Sequence, residues 1–477
     1  MRESKLTELL KGINPYEFKK FGEFINTPFH NKSSKILHLY DLINKNYDKF
    51  DANTFTSENI AKEIYGDKIN KEQNARTLIS NFTSLLEKFL SYSEFDKSII
   101  QNKILLLKAL RKRNILKTFD MVSKEISDIQ SKDFNKNTDY YYNDFTFKET
   151  WLNYHGEDLD LELDKSYNEM SLNADYMFIV TKLKILNTAI SRKILSGINI
   201  YKRYWGIDNI IKYIEKNIEE IKTNHPIIYS EYKILMMVTD SINTRHFYDL
   251  QNYFFSNNKK FKDEELEEVY YSLSNYCVNN IALGNDNLIK ELYKIHKTIE
   301  QTGFYDKNKN LMYTDFSAVI ICGLNMNELE WVNYFFDKYK QNIASEYKRD
   351  TINLTASLIL FYEKKYKECI SILNKISYKN TFFYLKTKET LIKCYYELGE
   401  KYLLYPVIDA VKHYLKRHKE VLSIHYERYI MFLNFVIGLI KSENKHKPEQ
   451  KILMKKLDEN RTIIARNWLI EKVIELS

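Results

Sequence analysis

A chain of 477 residues that is 44% hydrophobic and 29% charged is a globular protein able to bury a large core, not a disordered or fibrous one. Eleven Gly and five Pro are far too few for the turn every ~8–12 residues that sandwiches and barrels need, so the composition points to helices joined by short loops. The net charge of +8 is carried mostly by lysine and is diffuse, compatible with an acidic or nucleic-acid partner without requiring one.

In chain order, the opening "MRESKLTELLKGINPYEF" contains no apolar run of the secretory type, so no leader is expected there. Asn14, Pro15 and Glu17 form a helix start: Asn14 caps, Pro15 sits where an N–H is not needed, and Glu17 completes a capping-box-like pair. Phe18, Phe21 and Ile25 follow on one face. A second helix runs from about Ser34 with Ile36, Tyr40, Ile43 and Tyr47, a third ("SENIAKEIY") stops at Gly66, and a long fourth follows Asn70 with Leu78, Phe82, Leu85 and Phe89 as its stripe. The third and fourth resemble a helix-turn-helix in outline only. Their connection "GDKINK" is longer than that turn, and the exposed face (Glu72, Gln73, Arg76, Thr77, Ser80, Glu87) is not basic.

The pattern divides the chain into a helical N-terminal unit (residues 1–95), a middle region of irregular helix pairs (96–310), and a repeat region with C-terminal capping helices (311–477). In the middle region Leu172, Tyr176, Ile179, Leu183, Leu186 and Ile190 alternate four and three apart before Gly197. Pro226 ends one helix and opens the next, and Leu288, Leu292, Ile295 and Ile299 mark another that stops at Gly303. In the last third the helices pair: "FSAVIICGL" with "NELEWVNYFFDKYK", "TINLTASLILFYE" with "KYKECISILNKI", and "YLKTKETLIKCYYELG" with "KYLLYPVIDAVKHYLKRHK". Aligning their turns at Asn327, Lys365 and Glu400 gives periods of 38 and 35 residues, the range of helix-hairpin repeats that hide their apolar faces by stacking. The most apolar run, "IMFLNFVIGLI", has eleven residues, against the ~20 needed to span a bilayer, and reads as a buried helix. Cys277, Cys322, Cys369 and Cys394 stand 45, 47 and 25 residues apart. That spacing fits neither a zinc site nor a disulfide framework, and suits a reducing cytoplasm.

The pair from Asn353 to Ile376 resembles a degenerate tetratricopeptide repeat. Small residues Ser357 and Cys369 stand where that motif brings its helices together, Tyr366 matches the aromatic after the turn, and "CYYELGE" matches the end of a first helix. Asn353 replaces the motif's early Trp, and the periods differ from the strict 34. Through "FGEFINTPFHN", "GNDNLIKELYKIHKTIEQTG", "NELEWVNYFFDKY", "LFYEKKYKECISIL", "LIKCYYELGE" and "WLIEKVIEL", almost the whole chain resembles a large uncharacterised family of all-helical, tetratricopeptide-like bacterial proteins. The resemblance implies an all-α, helical-hairpin solenoid with a helical N-terminal unit, and no chemistry. It also implies that the first helix of each pair lines a concave face. That places Lys386, Glu389, Lys393, Tyr396 and Glu397 there, with Leu354, Leu358, Phe361 and Tyr362 from the preceding pair.

Candidate chemistry is thin. "DKNKN" (Asp306 to Asn310) begins like a calcium loop, but Leu311 and Ser317 stand where Gly and Glu are required. The acids of "HGEDLDLELDK" (His155 to Lys165) scatter around a helix axis and suit a helix start. His413, His418 and His425 miss the i, i+4 spacing of helical metal pairs. No phosphate loop, His-Glu-x-x-His or Gly-x-Ser-x-Gly is present, so no catalytic residue, cofactor or metal is expected. Two stretches can touch nucleic acid: Tyr201, Lys202, Arg203 and Trp205 interleave cations with aromatics, and Arg111 and Arg113 form a basic helix patch. The expectation is a cytoplasmic, non-enzymatic protein-interaction scaffold with a protein or peptide partner in the groove formed by Lys386, Glu389, Lys393, Tyr396, Glu397, Phe361 and Tyr362, and no membrane. The alternative is a nucleic-acid-associated regulatory helical protein using the basic-aromatic loops.

Overall fold

A computed structural model describes the chain apart from residues 1–3, 46, 48–55, 67–70, 156–160, 197–205, 241–242, 379, 419–422, 443–447 and 476–477. The protein is 82% helical, with 25 α-helices and no strand among the described residues. It is all-α, as the shortage of Gly and Pro requires. No described helix is long and apolar enough to cross a membrane. The chain forms two compact units: Met1–Lys132 with Tyr140–Ala174, and Asp133–Asp139 with Asp175–Ser477.

The first unit begins with α1 (Lys5–Gly12), α2 (Pro15–Ile25), α3 (Ser34–Lys45), α4 (Ser57–Tyr65) and α5 (Lys71–Lys97). The expected capping box is present. The Glu17 amide donates to Asn14 Oδ1 at 3.0 Å, and the Asn14 amide donates to Glu17 Oε2 at 2.9 Å. Phe18, Phe21 and Ile25 then enter a core with Ile36, Leu39, Phe82 and Phe89. On α5 Leu86 is fully buried in place of the expected Leu85, which is only partly covered. This helix packs against α1, α2, α3 and α4, so its apolar face is wider than a single heptad stripe. A second core gathers Ile104, Leu107, Phe119, Ile126 and Phe147 from α6 (Ile99–Arg111), α7 (Leu116–Ser131) and α8 (Thr138–His155).

Helix α9 (Leu161–Ser196) contributes residues to both units. Its expected stripe starts one step late: Leu172 is exposed, while Tyr176, Ile179, Leu183, Leu186 and Ile190 are buried. The second unit continues with α10 (Ile207–Lys216), α11 (Ile218–Asn224), α12 (Pro226–Thr239), α13 (Arg245–Asn257), α14 (Asp263–Ala282), α15 (Leu288–Gln301) and α16 (Phe304–Lys307). Then come three hairpins, α17 (Tyr313–Asn325) with α18 (Leu329–Tyr339), α19 (Lys348–Tyr362) with α20 (Tyr366–Leu373), and α21 (Thr381–Glu397) with α22 (Lys401–Arg417). The chain closes with α23 (Ser423–Ser442), α24 (Pro448–Glu459) and α25 (Arg466–Glu475).

One turn joins the helices of each hairpin. A residue with left-handed φ follows the first helix at Asn327 (58°), Lys364 (61°) and Gly399 (69°), with the same feature at Gly284 (93°) between α14 and α15. In each, the next amide reaches back five residues: Asn285 to Asn280 O, Glu328 to Gly323 O, Lys365 to Leu360 O and Glu400 to Tyr395 O, at 2.9–3.0 Å. This is the 6→1 bond of a Schellman cap, which satisfies a helix-end carbonyl while reversing the chain. In the three hairpins the left-handed residues stand at 327, 364 and 399. Small residues let the paired helices approach: a Cβ on Gly323 would lie 2.5 Å from Val332 Cγ2, and buried Cys369 donates to Ser357 O at 3.1 Å. The first helices of the hairpins pack on one another in series, α17 on α19 and α19 on α21, with α15 packed on α17.

Candidate functional site

The last helix decides what this row of first helices can offer. Trp468 on α25 donates from Nε1 to Glu397 Oε1 on α21 at 2.6 Å and meets the Tyr396 ring edge-on at 5.3 Å. Lys472, almost fully buried, sits 2.9 Å from Glu397 Oε1 and 2.8 Å from Glu475 Oε2. Burial works against its charge, yet the Glu475 and Glu397 carboxylates outweigh it and hold the ammonium well above the usual lysine range. The stretch before α25 packs on the α14–α15 turn, where a Cβ on Gly284 would lie 2.6 Å from Arg461 Cβ. Gly284 is therefore required twice, for its φ and for this approach.

A cavity of about 320 Å³ remains beside α25. Its apolar lining comes from Ile281, Ile289, Ile321, Leu324, Leu358, Ile463 and Ile464, and its aromatic lining from Tyr362 and Trp468. The charged lining is Lys386, Lys393, Arg428, Arg461 and Arg466 against Glu389 and Asp286. The Glu389 side chain is 2% exposed and accepts from Lys386 at 3.1 and 3.2 Å, with Lys393 Nζ at 3.3 Å. Burial alone would raise its pKa, but the two ammonium groups outweigh burial and hold it below the usual range. Arg466 sits 3.6 Å from Asp286 and 3.2 Å from Asp458. Arg428, half-buried, donates from Nε to Thr462 O at 2.7 Å and, among the described residues, has no carboxylate partner. Desolvation lowers its pKa, opposed in part by Tyr429 and the Glu389 carboxylate. Exposed Arg461 has neither an ion pair nor a side-chain hydrogen bond among the described residues.

Of the expected groove residues, Lys386, Glu389, Lys393 and Tyr362 line this cavity together. Tyr362 donates to Asn325 Oδ1 at 2.9 Å. Tyr396 and Glu397 face α25 instead. Phe361 is buried, with Lys393 Nζ 4.6 Å from its ring centroid, and Leu354 is fully buried, so neither presents open surface. Sequence reasoning missed Arg428, Arg461, Arg466 and Asp286, which lie far from the hairpins in the chain. Only Trp468 carried a signal, as the one aromatic of the terminal helix Arg466–Glu475.

The remaining candidates do not converge. Arg111 and Arg113 are exposed at the end of α6, with Arg113 Nη1 donating to Ala109 O at 2.9 Å. Tyr201, Lys202, Arg203 and Trp205 lie outside the described residues. His413 and His418 are exposed on or just after α22. Asp306 to Asn310 leads from α16 to Leu311, whose amide donates to Asn342 O at 2.9 Å. In the first unit a second cavity of about 510 Å³ brings Asp120, Lys148, Trp151 and His155 together, with His155 Nε2 3.5 Å from Asp120 Oδ1.

The 320 Å³ cavity is lined by no His, Ser, Thr or Cys. Its lining combines cations, an apolar wall and an aromatic rim, the mix of groups that ligand pockets use. Comparison with known proteins found no matching family model, no matching curated protein and no matching solved structure.

Proposed function

We propose that the protein is a non-enzymatic scaffold whose three hairpins form a tetratricopeptide-like stack, with a protein or peptide partner docking on the face made by α17, α19 and α21. Two features support the stack: the hairpin turns share one geometry, and the first helices pack in series. One observation carries the docking reading. This face already receives a helix, α25, through an aromatic anchor at Trp468 and a buried ion pair at Lys472, and a cavity stays open beside it. A surface that seats an amphipathic helix by a few anchors is built for helix-in-groove recognition.

The test is affinity purification from the native cell with three proteins: the wild type, Arg461→Glu at the cavity mouth, and Arg111→Glu as a distant control. Both substituted residues are exposed, so folding is preserved. A partner retained by the wild type and the control but lost from Arg461→Glu supports the reading. Equal recovery on all three places the docking surface elsewhere.

A further inference from the structure

We propose that the cavity between α21, α23 and the 461–468 segment binds a small organic oxyanion, a carboxylate or phosphate ester on an apolar stem. This goes beyond the scaffold reading and does not depend on it, because the argument concerns the cavity's own charge and volume.

The charges do not cancel. Five cationic side chains face two carboxylates. Glu389 is engaged by both lysines, and Asp286 answers Arg466. Arg428 and Arg461 make no ion pair among the described residues, and Glu389, already held by the two lysines, reaches Arg428 only as a longer-range charge. Arg428 is the informative one: its guanidinium is half-buried and uses Nε on a backbone carbonyl. A guanidinium withdrawn from water is costly until an anion pairs with it, and its planar fork fits the two oxygens of a carboxylate or phosphate. The same chamber already keeps one carboxylate ionised, since Glu389 is buried yet held below its usual pKa.

The opposite wall sets the rest of the ligand. Ile289, Ile321, Leu324 and Leu358 are aliphatic, and Trp468 closes one side. About 320 Å³ holds about ten water-sized groups, the size of an eight-carbon chain with its anionic head. A bare inorganic anion would leave the aliphatic wall wet, and a neutral chain would leave the guanidinium groups unpaired.

Isothermal titration of the full chain with octanoate, octyl phosphate, octanol and inorganic phosphate tests this. The expected result is one-to-one binding of octanoate or octyl phosphate. Whichever of the two binds more tightly tells a carboxylate ligand from a phosphate one. Octanol and inorganic phosphate should bind at least about tenfold more weakly, the loss of one charge-assisted contact or of the buried stem. Arg461→Gln should weaken the anion about tenfold with an unchanged melting temperature. Arg428→Lys, which keeps the charge but loses the fork, should weaken it without removing it. Octanol binding as tightly as octanoate, inorganic phosphate binding as tightly as octyl phosphate, unaltered affinity in Arg461→Gln, or no binding of either amphiphile would each overturn the proposal.

Discussion

Glu389→Gln tests the charge network at the centre of the site. The side chain is 2% exposed and its carboxylate contacts Lys386 at 3.1 and 3.2 Å and Lys393 at 3.3 Å. Gln has nearly the same volume, so no cavity opens. What changes is charge: the buried Lys393 ammonium, and Lys386 beside it, lose the anion that offset their desolvation. Breaking a buried pair in this way costs about 3–5 kcal/mol, or roughly 6–10 °C in melting temperature at about 2 °C per kcal/mol. The assay is urea and thermal unfolding followed by circular dichroism at several pH values. The sign is set by the depressed pKa: the carboxylate contributes stability above its unfolded value of about 4.3 and loses it as pH falls through the lower folded value. The gap between wild type and variant should therefore be constant from pH 8 to about 5 and close below about 4. Glu389→Met combined with Lys393→Met removes both buried charges and should cost less than half as much as the single change. A Glu389→Gln cost under about 1 kcal/mol, or a gap indifferent to pH, would refute the buried network and the reading of the cavity as a charged chamber.

His296 and His225 are both buried, and burial pushes their pKa values down to about 3 and about 4, with Lys136 adding to the effect on His225. The unfolded chain takes up these protons first as pH falls through about 6.5, so each should withdraw about 2 kcal/mol of stability between pH 7 and pH 5. Urea midpoints should show this, and His296→Phe should flatten the decline by about half. Lys364 holds a left-handed φ of 61° in the turn of the second hairpin, so Lys364→Gly should raise stability by about 0.5–1 kcal/mol in urea unfolding. The Cys369 thiol lies 3.4 Å from the Cys394 thiol in a fully buried position, and that hydrogen bond and burial push its pKa far up. Cys369→Asp should cost about 3–5 kcal/mol and lower the melting temperature, and in the native wild type Cys369 should resist iodoacetamide until the protein unfolds.

Local chemistry was legible wherever one residue and its near neighbours carry the signal. The Asn14–Glu17 capping box, Pro226 at the start of α12, and the stripe Leu288, Leu292, Ile295 and Ile299 on α15 all stand where the sequence placed them, because capping and amphipathic spacing act within one or two turns. The hairpin turns were legible to within a residue: the left-handed position is Lys364 rather than Lys365 and Gly399 rather than Glu400. Periodicity was less informative about which residue is most deeply buried. Leu86 displaces Leu85, and Leu172 falls outside its stripe, since those outcomes depend on which helices arrive from elsewhere.

The sequence by itself determined an all-α chain, its helix ends and the turns of its hairpins, because backbone satisfaction and side-chain periodicity are short-range properties. Tertiary structure decided what joins Lys386, Glu389, Lys393 and Tyr362 in the site. Glu397 and Trp468, or Glu389, Arg428 and Arg461, stand dozens of residues apart, and nothing local marks them as partners. It is the packing of α25 beside α21 that turns a presumed open face into a half-filled one. Glu389 and Lys393 are buried on α21, and Arg428 and Arg461, from two other segments, face the same cavity. Burial and charge pairing are sums over neighbours in space, so this charged chamber is written in no single stretch of the chain.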